Sequence, residues 1–169
     1  MTTLYTPVEY VNVEARLIEL GLPKCEGVMV LPRNFETAKA GETLQYQSTL
    51  PDVERLLAKT SLPVTKVPED IKTEQVEDRD VSWVVPAIYV SYQVINHNPE
   101  WAKILFENII EYLKKRYSEV FENKQVQIDL VKQNLKEQSG DFTYEHYQYK
   151  GSGQGIDEFR RSIEAMHKE

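Results

Sequence analysis

An α+β fold, a mixed β-sheet with helices packed on it, is predicted by three features of the 169-residue chain. Residues 81–94, Val-Ser-Trp-Val-Val-Pro-Ala-Ile-Tyr-Val-Ser-Tyr-Gln-Val, are too β-branched and aromatic for a helix, and Pro86 would break one. From Trp101 to Val120 the apolar residues return at three- and four-residue steps, as on one face of a helix. Val126, Ile128 and Leu130 then alternate with polar neighbours, and a tyrosine-rich run follows from Phe142 to Tyr149. Together these order the C-terminal half as strand, helix, strand, strand, helix.

Taken along the chain, Thr6-Pro7-Val8-Glu9 has the form of a capping box with proline at the first helical position. A helix is expected there, with Val8, Val11, Ala15 and Ile18 as its buried stripe and Gly21 and Pro23 as its stop. A short buried strand is read over Gly27–Leu31 and another over Thr43–Gln47; between them, Arg33–Gly41 is a loop or a helical turn. Pro51–Lys59 reads as a helix with Val53, Leu56 and Leu57 inward, and Leu62–Val67 as a strand. In the 81–94 strand the even positions Val84, Ile88, Val90, Tyr92 and Val94 form one apolar face. Asn98-Pro99-Glu100 supplies an N-cap, a first-turn proline and a first-turn acid for the long helix, with Trp101, Leu105, Phe106, Ile109, Leu113, Tyr117 and Val120 inward and Glu111–Lys115 as a supporting pair. Residues 126–131 and 142–149 form an antiparallel hairpin around the polar turn Lys136–Asp141. Ile156, Phe159, Ile163 and Met166 mark the last helix, about Gly155–His167.

Pro68–Asp80 carries six acids against two bases and few apolar residues, and so supplies −4 of the net charge of −7. The chain is read as one domain over 1–169, with 68–80 as the alternative boundary between a 1–67 and an 81–169 lobe. The acidic balance argues against nucleic acid and anionic membranes as partners, both of which select basic surfaces. No apolar run reaches the ~18–20 residues of a membrane span, and the first residues lack the pattern of a signal peptide, so a cytoplasmic location is expected. The single cysteine, Cys25, forms no internal disulfide and no multi-cysteine metal site, and the three histidines lack ligand spacing; no cofactor or metal is expected.

Two surfaces stand out. Tyr89, Tyr92, Tyr144, Tyr147 and Tyr149 fall on the proposed strands, and tyrosine is enriched where a partner protein dries a surface. Tyr89, Tyr144, Tyr147 and Tyr149 are therefore the partner-binding candidates, set against the plainer reading that they fill a half-buried sheet. Gly151, Gly153 and Gly155 form a strand-to-helix turn resembling neither a dinucleotide nor a triphosphate loop, with Asp157 and Glu158 next to it disfavouring an anion. With His146 they are the ligand-binding candidates, His146 as a base among tyrosine hydroxyls. Catalytic motifs are lacking, which leans against an enzyme. The expected role is a protein–protein interaction module, an accessory, regulatory or immunity-type subunit that self-associates or binds another protein; the alternative is a small-molecule-binding protein or enzyme with its pocket near His146 and the glycine turn.

Overall fold

The computed structural model describes residues 7–76, 83–118 and 123–167, and side chains as far as residue 165. The described elements are β1 (Val8–Glu9), α1 (Val13–Glu19), β2 (Val28–Val30), β3 (Leu44–Gln47), α2 (Leu50–Ala58), β4 (Thr73–Val76), β5 (Trp83–Val90), α3 (Tyr92–His97), α4 (Trp101–Tyr117), β6 (Gln125–Leu135), β7 (Phe142–Ser152) and α5 (Ile156–His167), the last entered through the 3-10 turn Gly153–Gly155. Five strands form one mixed sheet in the order β1-β7-β6-β5-β2, and β3 and β4 form a separate parallel pair. The α+β class is as predicted.

Among the described strands of the large sheet only β5 and β6 are parallel, joined by the crossover that contains α4. Parallel strands need such a connection because a hairpin can join only antiparallel ones. β6 and β7 make the long hairpin, in register from Gln125↔Ser152 to Leu135↔Phe142, with Gly140 at a φ of +75° in the turn. The strands β1 and β2, from the first half of the chain, pair with β7 and β5 from the second, so both halves build one sheet.

The two faces of this sheet are covered differently. Val126, Ile128 and Leu130 meet α4 and α5, where Trp101, Leu105, Phe106, Ile109 and Leu113 are buried as expected. Phe159 of α5 lies edge-on to Phe106 at 5.7 Å and against the ring of Tyr149 at 5.5 Å, tying helix to helix and helix to sheet. The predicted Glu111–Lys115 pair forms at 3.2 Å on the exposed side. Ile156 and Ile163 are buried as predicted, whereas the Met166 side chain and Val120 lie outside the description. On the opposite face, expected to be largely wet along β6, Val131 and Gln133 are buried beneath α1, whose Glu14 accepts a hydrogen bond from Gln133 at 3.2 Å.

Several local expectations are corrected. The first helix starts later than the capping-box pattern suggests: Val8–Glu9 is an edge strand, and Asn12 caps α1 by accepting the Ala15 N–H at 3.1 Å. The apolar stripe shifts with it to Val13 and Leu17, leaving Val8 and Ile18 66% and 80% exposed. The strand read through Val94 ends at Val90; Ser91 starts α3, and Tyr92 and Val94 are helical. The long helix begins at Trp101, with Glu100 in place of Asn98 as its cap. The 62–67 run makes only one bridge, Val64 to Val28, and the acidic 68–80 segment contains β4, paired with β3. Arg33–Gly41 is turns and loop, pinned by the buried Phe35.

The correction that shapes the molecule is in β5. Val85 pairs with Ile128 and Ile88 with Leu130, so β5 uses one residue more than β6 over this stretch, and Pro86–Ala87 stand opposite Asp129 alone. Proline has no N–H to give to a ladder, and a central strand accommodates it by bulging. Alternation inverts there: Val84 shares the face of Gln127, whereas Ile88 shares that of Leu130.

Candidate functional site

The bulge opens a cavity of about 310 Å³ on the face away from α4 and α5. Its walls come from elements far apart in sequence: Tyr10 after β1, the segment Leu31–Arg33 after β2, Glu36, Gln47 of β3, Val84, Pro86 and Ala87 of β5, Gln127 and Asp129 of β6, and His146 of β7. The segment after β2 is held over the cavity by the Leu31 N–H donating to the Ala87 carbonyl at 2.8 Å and the Arg33 N–H donating to the Gln45 carbonyl at 2.6 Å.

Asp129 is the hub. Its Oδ1 accepts from Gln148 Nε2 and pairs with His146 Nε2, both at 2.9 Å, while Oδ2 accepts from Gln127 Nε2 at 3.0 Å. Its side chain is 13% exposed, and a carboxylate so enclosed needs such donors to offset lost hydration. The register supplies them: Gln148 lies directly across from Asp129, and His146 lies one step diagonally along the same face. A carboxylate on Nε2 favours the tautomer with its proton there, which leaves the Nδ1 lone pair as the reactive position. Among the described residues Nδ1 has no hydrogen-bond partner.

The Tyr10 ring is tilted against the His146 imidazole, with centroids 5.4 Å apart. Its hydroxyl also has no hydrogen-bond partner among the described residues. Burial first, then the Glu36 and Asp129 carboxylates, pushes its pKa well above the usual phenol value, so it stays a proton-bearing donor at neutral pH. The cavity wall thus holds an imidazole and a phenol with rings 5.4 Å apart, together with Gln47, Gln127 and the opposite charges of Arg33 and Glu36. No serine, threonine or cysteine is among its described lining residues.

The candidates read from sequence separate. His146 lies in this cavity, but the glycine turn does not line it. Gly151 and Gly155 instead pack on the Tyr149 hydroxyl, which donates to the Ser152 carbonyl; a Cβ on Gly151 would sit 2.9 Å from that oxygen, and one on Gly155 closer still. Gly153 is buried, and its N–H donates to the Lys124 carbonyl at 2.9 Å. These glycines give the turn room around a tyrosine, and the expected pocket between them and His146 is replaced by the cavity at the bulge. The four partner-binding tyrosines are also corrected: Tyr89, Tyr144, Tyr147 and Tyr149 are 0%, 4%, 2% and 6% exposed, so they are core side chains and not a surface. Tyr147 donates to Glu145 at 2.8 Å, and Tyr144 accepts from Gln133 at 3.2 Å.

Cys25 is buried, and its thiol is pushed up to about 11, first by burial, which removes it as a nucleophile at neutral pH. His97 closes α3 with Nδ1 2.8 Å from the Gln93 carbonyl oxygen. Sequence reasoning missed Asp129, Tyr10, Arg33, Glu36, Gln47 and Gln127. The available signal was Pro86, whose place in a central strand demands a bulge. No protein-family model, curated protein or solved structure matches this chain. Among the described residues no helix is long and apolar enough to cross a membrane.

Proposed function

We propose that this chain binds a small polar molecule in the cavity at the β5 bulge, with His146, oriented by Asp129, as the group that meets it. The supporting observation is the placement of Asp129: a mostly buried carboxylate in mid-sheet, opposite a broken ladder, receives three side chains, one of them an imidazole with a free nitrogen beside the cavity. A network serving stability alone has no need of the opening, and concave polar clusters with a few convergent groups are where ligands are held. The volume of about 310 Å³ limits the ligand to a metabolite-sized molecule.

The test is native mass spectrometry of the protein isolated gently from its own source, beside His146→Ala and Asp129→Ala variants shown to fold by circular dichroism. A discrete small mass on the wild type that is absent from both variants is the expected result. A mass retained in full by both would place the ligand elsewhere. The reading as an accessory, regulatory or immunity-type interaction module loses its tyrosine surface; what remains for it among the described residues are the exposed Val8, Ile18 and Phe142, and scattered surface apolar residues are ordinary. The cavity is therefore preferred.

A further inference from the structure

We infer that the cavity does chemistry as well as binding: His146 Nδ1 removes a proton from a carbon next to a carbonyl group, and the Tyr10 hydroxyl holds the oxygen on which the negative charge collects. The inference rests on the binding role proposed above and names the substrate class, a small hydroxylated carbonyl compound.

Four features lead to it. Nδ1 and the Tyr10 hydroxyl are both without hydrogen-bond partners among the described residues, on rings 5.4 Å apart between centroids, so one small molecule can meet both. Asp129 fixes the other imidazole nitrogen at 2.9 Å and stabilises the imidazolium that forms when Nδ1 takes a proton, which makes it a positioning residue. The described lining has no serine, threonine, cysteine or lysine, and an imidazole nitrogen near a phenol is a pair suited to proton transfer with stabilisation of the charge that forms. Finally, Gln127 gives its carboxamide nitrogen to Asp129 at 3.0 Å, and its carboxamide oxygen, in the same wall, matches a hydroxyl group on the rest of the molecule.

The step balances without a further reactant. The C–H electron pair becomes the carbon–carbon double bond of an enolate, the carbonyl π pair moves onto oxygen, and that oxygen accepts a hydrogen bond from Tyr10. The proton on Nδ1 exchanges with solvent, and reversal returns a solvent hydrogen to carbon.

Dihydroxyacetone in heavy water is the probe, with loss of its C–H signal followed by proton NMR on the full chain, and with ¹⁵N-labelled histidine reporting the ring of His146. Wild type is expected to accelerate exchange about 100-fold or more over His146→Gln and over Tyr10→Phe, in keeping with the usual contribution of a positioned base. Asp129→Asn is expected to redistribute the His146 proton between the two nitrogens and to slow exchange while the probe still shifts the ring signals. If dihydroxyacetone shifts the His146 signals but exchange in wild type equals that in His146→Gln, the proton-transfer role is overturned and the binding role stands. If neither shifts nor exchange occur, the hydroxycarbonyl class is overturned, and the mass measurement on the native protein decides the binding role separately. A His146 proton resting on Nδ1 in the free protein would refute the base assignment without any ligand.

Discussion

Tyr89→Phe is expected to stabilise this protein, and more so as the solution is made alkaline. Tyr89 lies in β5 with none of its surface exposed, and its hydroxyl has no hydrogen-bond partner among the described residues. A buried hydroxyl left unpaired costs about 1–3 kcal/mol of stability, and phenylalanine keeps the ring while removing that oxygen. A gain of about 1 kcal/mol at pH 7 follows, less than the full penalty because a void of one atom remains. The pH dependence adds to it. Burial first, then the neighbouring Tyr144, Cys25 and Glu14, raises the phenol pKa far above 10 in the folded chain, whereas the unfolded chain ionises near 10. For an acid with a raised folded pKa the native state holds the proton that the unfolded state releases, so stability is intact below pH 10 and falls above it. At pH 11 this residue alone costs the wild type about 1.4 kcal/mol, and the advantage of the phenylalanine variant should grow to about 2–3 kcal/mol. Urea unfolding followed by circular dichroism at pH 7 and pH 11 measures both numbers, and the other buried tyrosines cancel in the difference. A variant less stable than wild type at pH 7 would show that the hydroxyl has a partner, and an unchanged difference at pH 11 would show that solvent reaches it.

Three further substitutions probe the framework around the site. Leu105→Ala, at a position with no exposed surface, should cost about 2–5 kcal/mol in urea unfolding, and a loss below about 1 would contradict the burial of the α4 stripe. Lys132 is 6% exposed, with its pKa lowered first by burial and partly restored by Glu145, so the folded chain releases its proton before the unfolded chain does, and stability should rise with pH between that lowered value and about 10.4. Lys132→Met should be more stable by about 1 kcal/mol at pH 7 and should lose the rise that the wild type shows as the pH climbs toward about 10.4; identical slopes in the two proteins would remove Lys132 as its source. Gly155→Ala drives a Cβ onto the Tyr149 hydroxyl and should cost about 1–3 kcal/mol, and less in a Tyr149→Phe background. Equal costs in the two backgrounds would mean that the glycine serves something other than room for that oxygen.

What could be read from the sequence follows from the range over which each signal acts. The α4 stripe, the β6–β7 hairpin and the helix after the glycine turn are periodic over enough residues to identify themselves, and each is present. Short elements fared worse. The capping-box pattern at Thr6–Glu9 competed with Asn12, six residues on, and the buried pair Val13 and Leu17 decided for the later start. The tyrosines illustrate an ambiguity that alternation cannot resolve. Tyr147 and Tyr149 face α4 and α5 while Tyr144 and His146 face α1 and the cavity, and whether either face is covered depends on elements that end well before β7, at Tyr117 or earlier, or that follow it. His146 was visible as a candidate, but Glu145, its neighbour in sequence, points away from it, and the carboxylate that orients it comes from the adjoining strand.

Pro86 links these observations. Its lack of an N–H was used to exclude a helix, yet in a strand flanked on both sides by others the same lack breaks a ladder. At that break β5 steps one residue out of phase with β6, so the apolar alternation that would have roofed Asp129 with a bulky side chain presents Pro86 and Ala87 instead. Asp129 consequently keeps an open side, and its remaining contacts can only be polar: Gln127 on its own strand and His146 and Gln148 on the next. Had the strand run unbroken, a residue at the phase of Asp129 would sit under a continuous sheet face as Val131 does, where an acid would carry a large desolvation cost. A site at this position therefore depends on the proline as much as on the histidine, although the proline offers a ligand only an apolar wall.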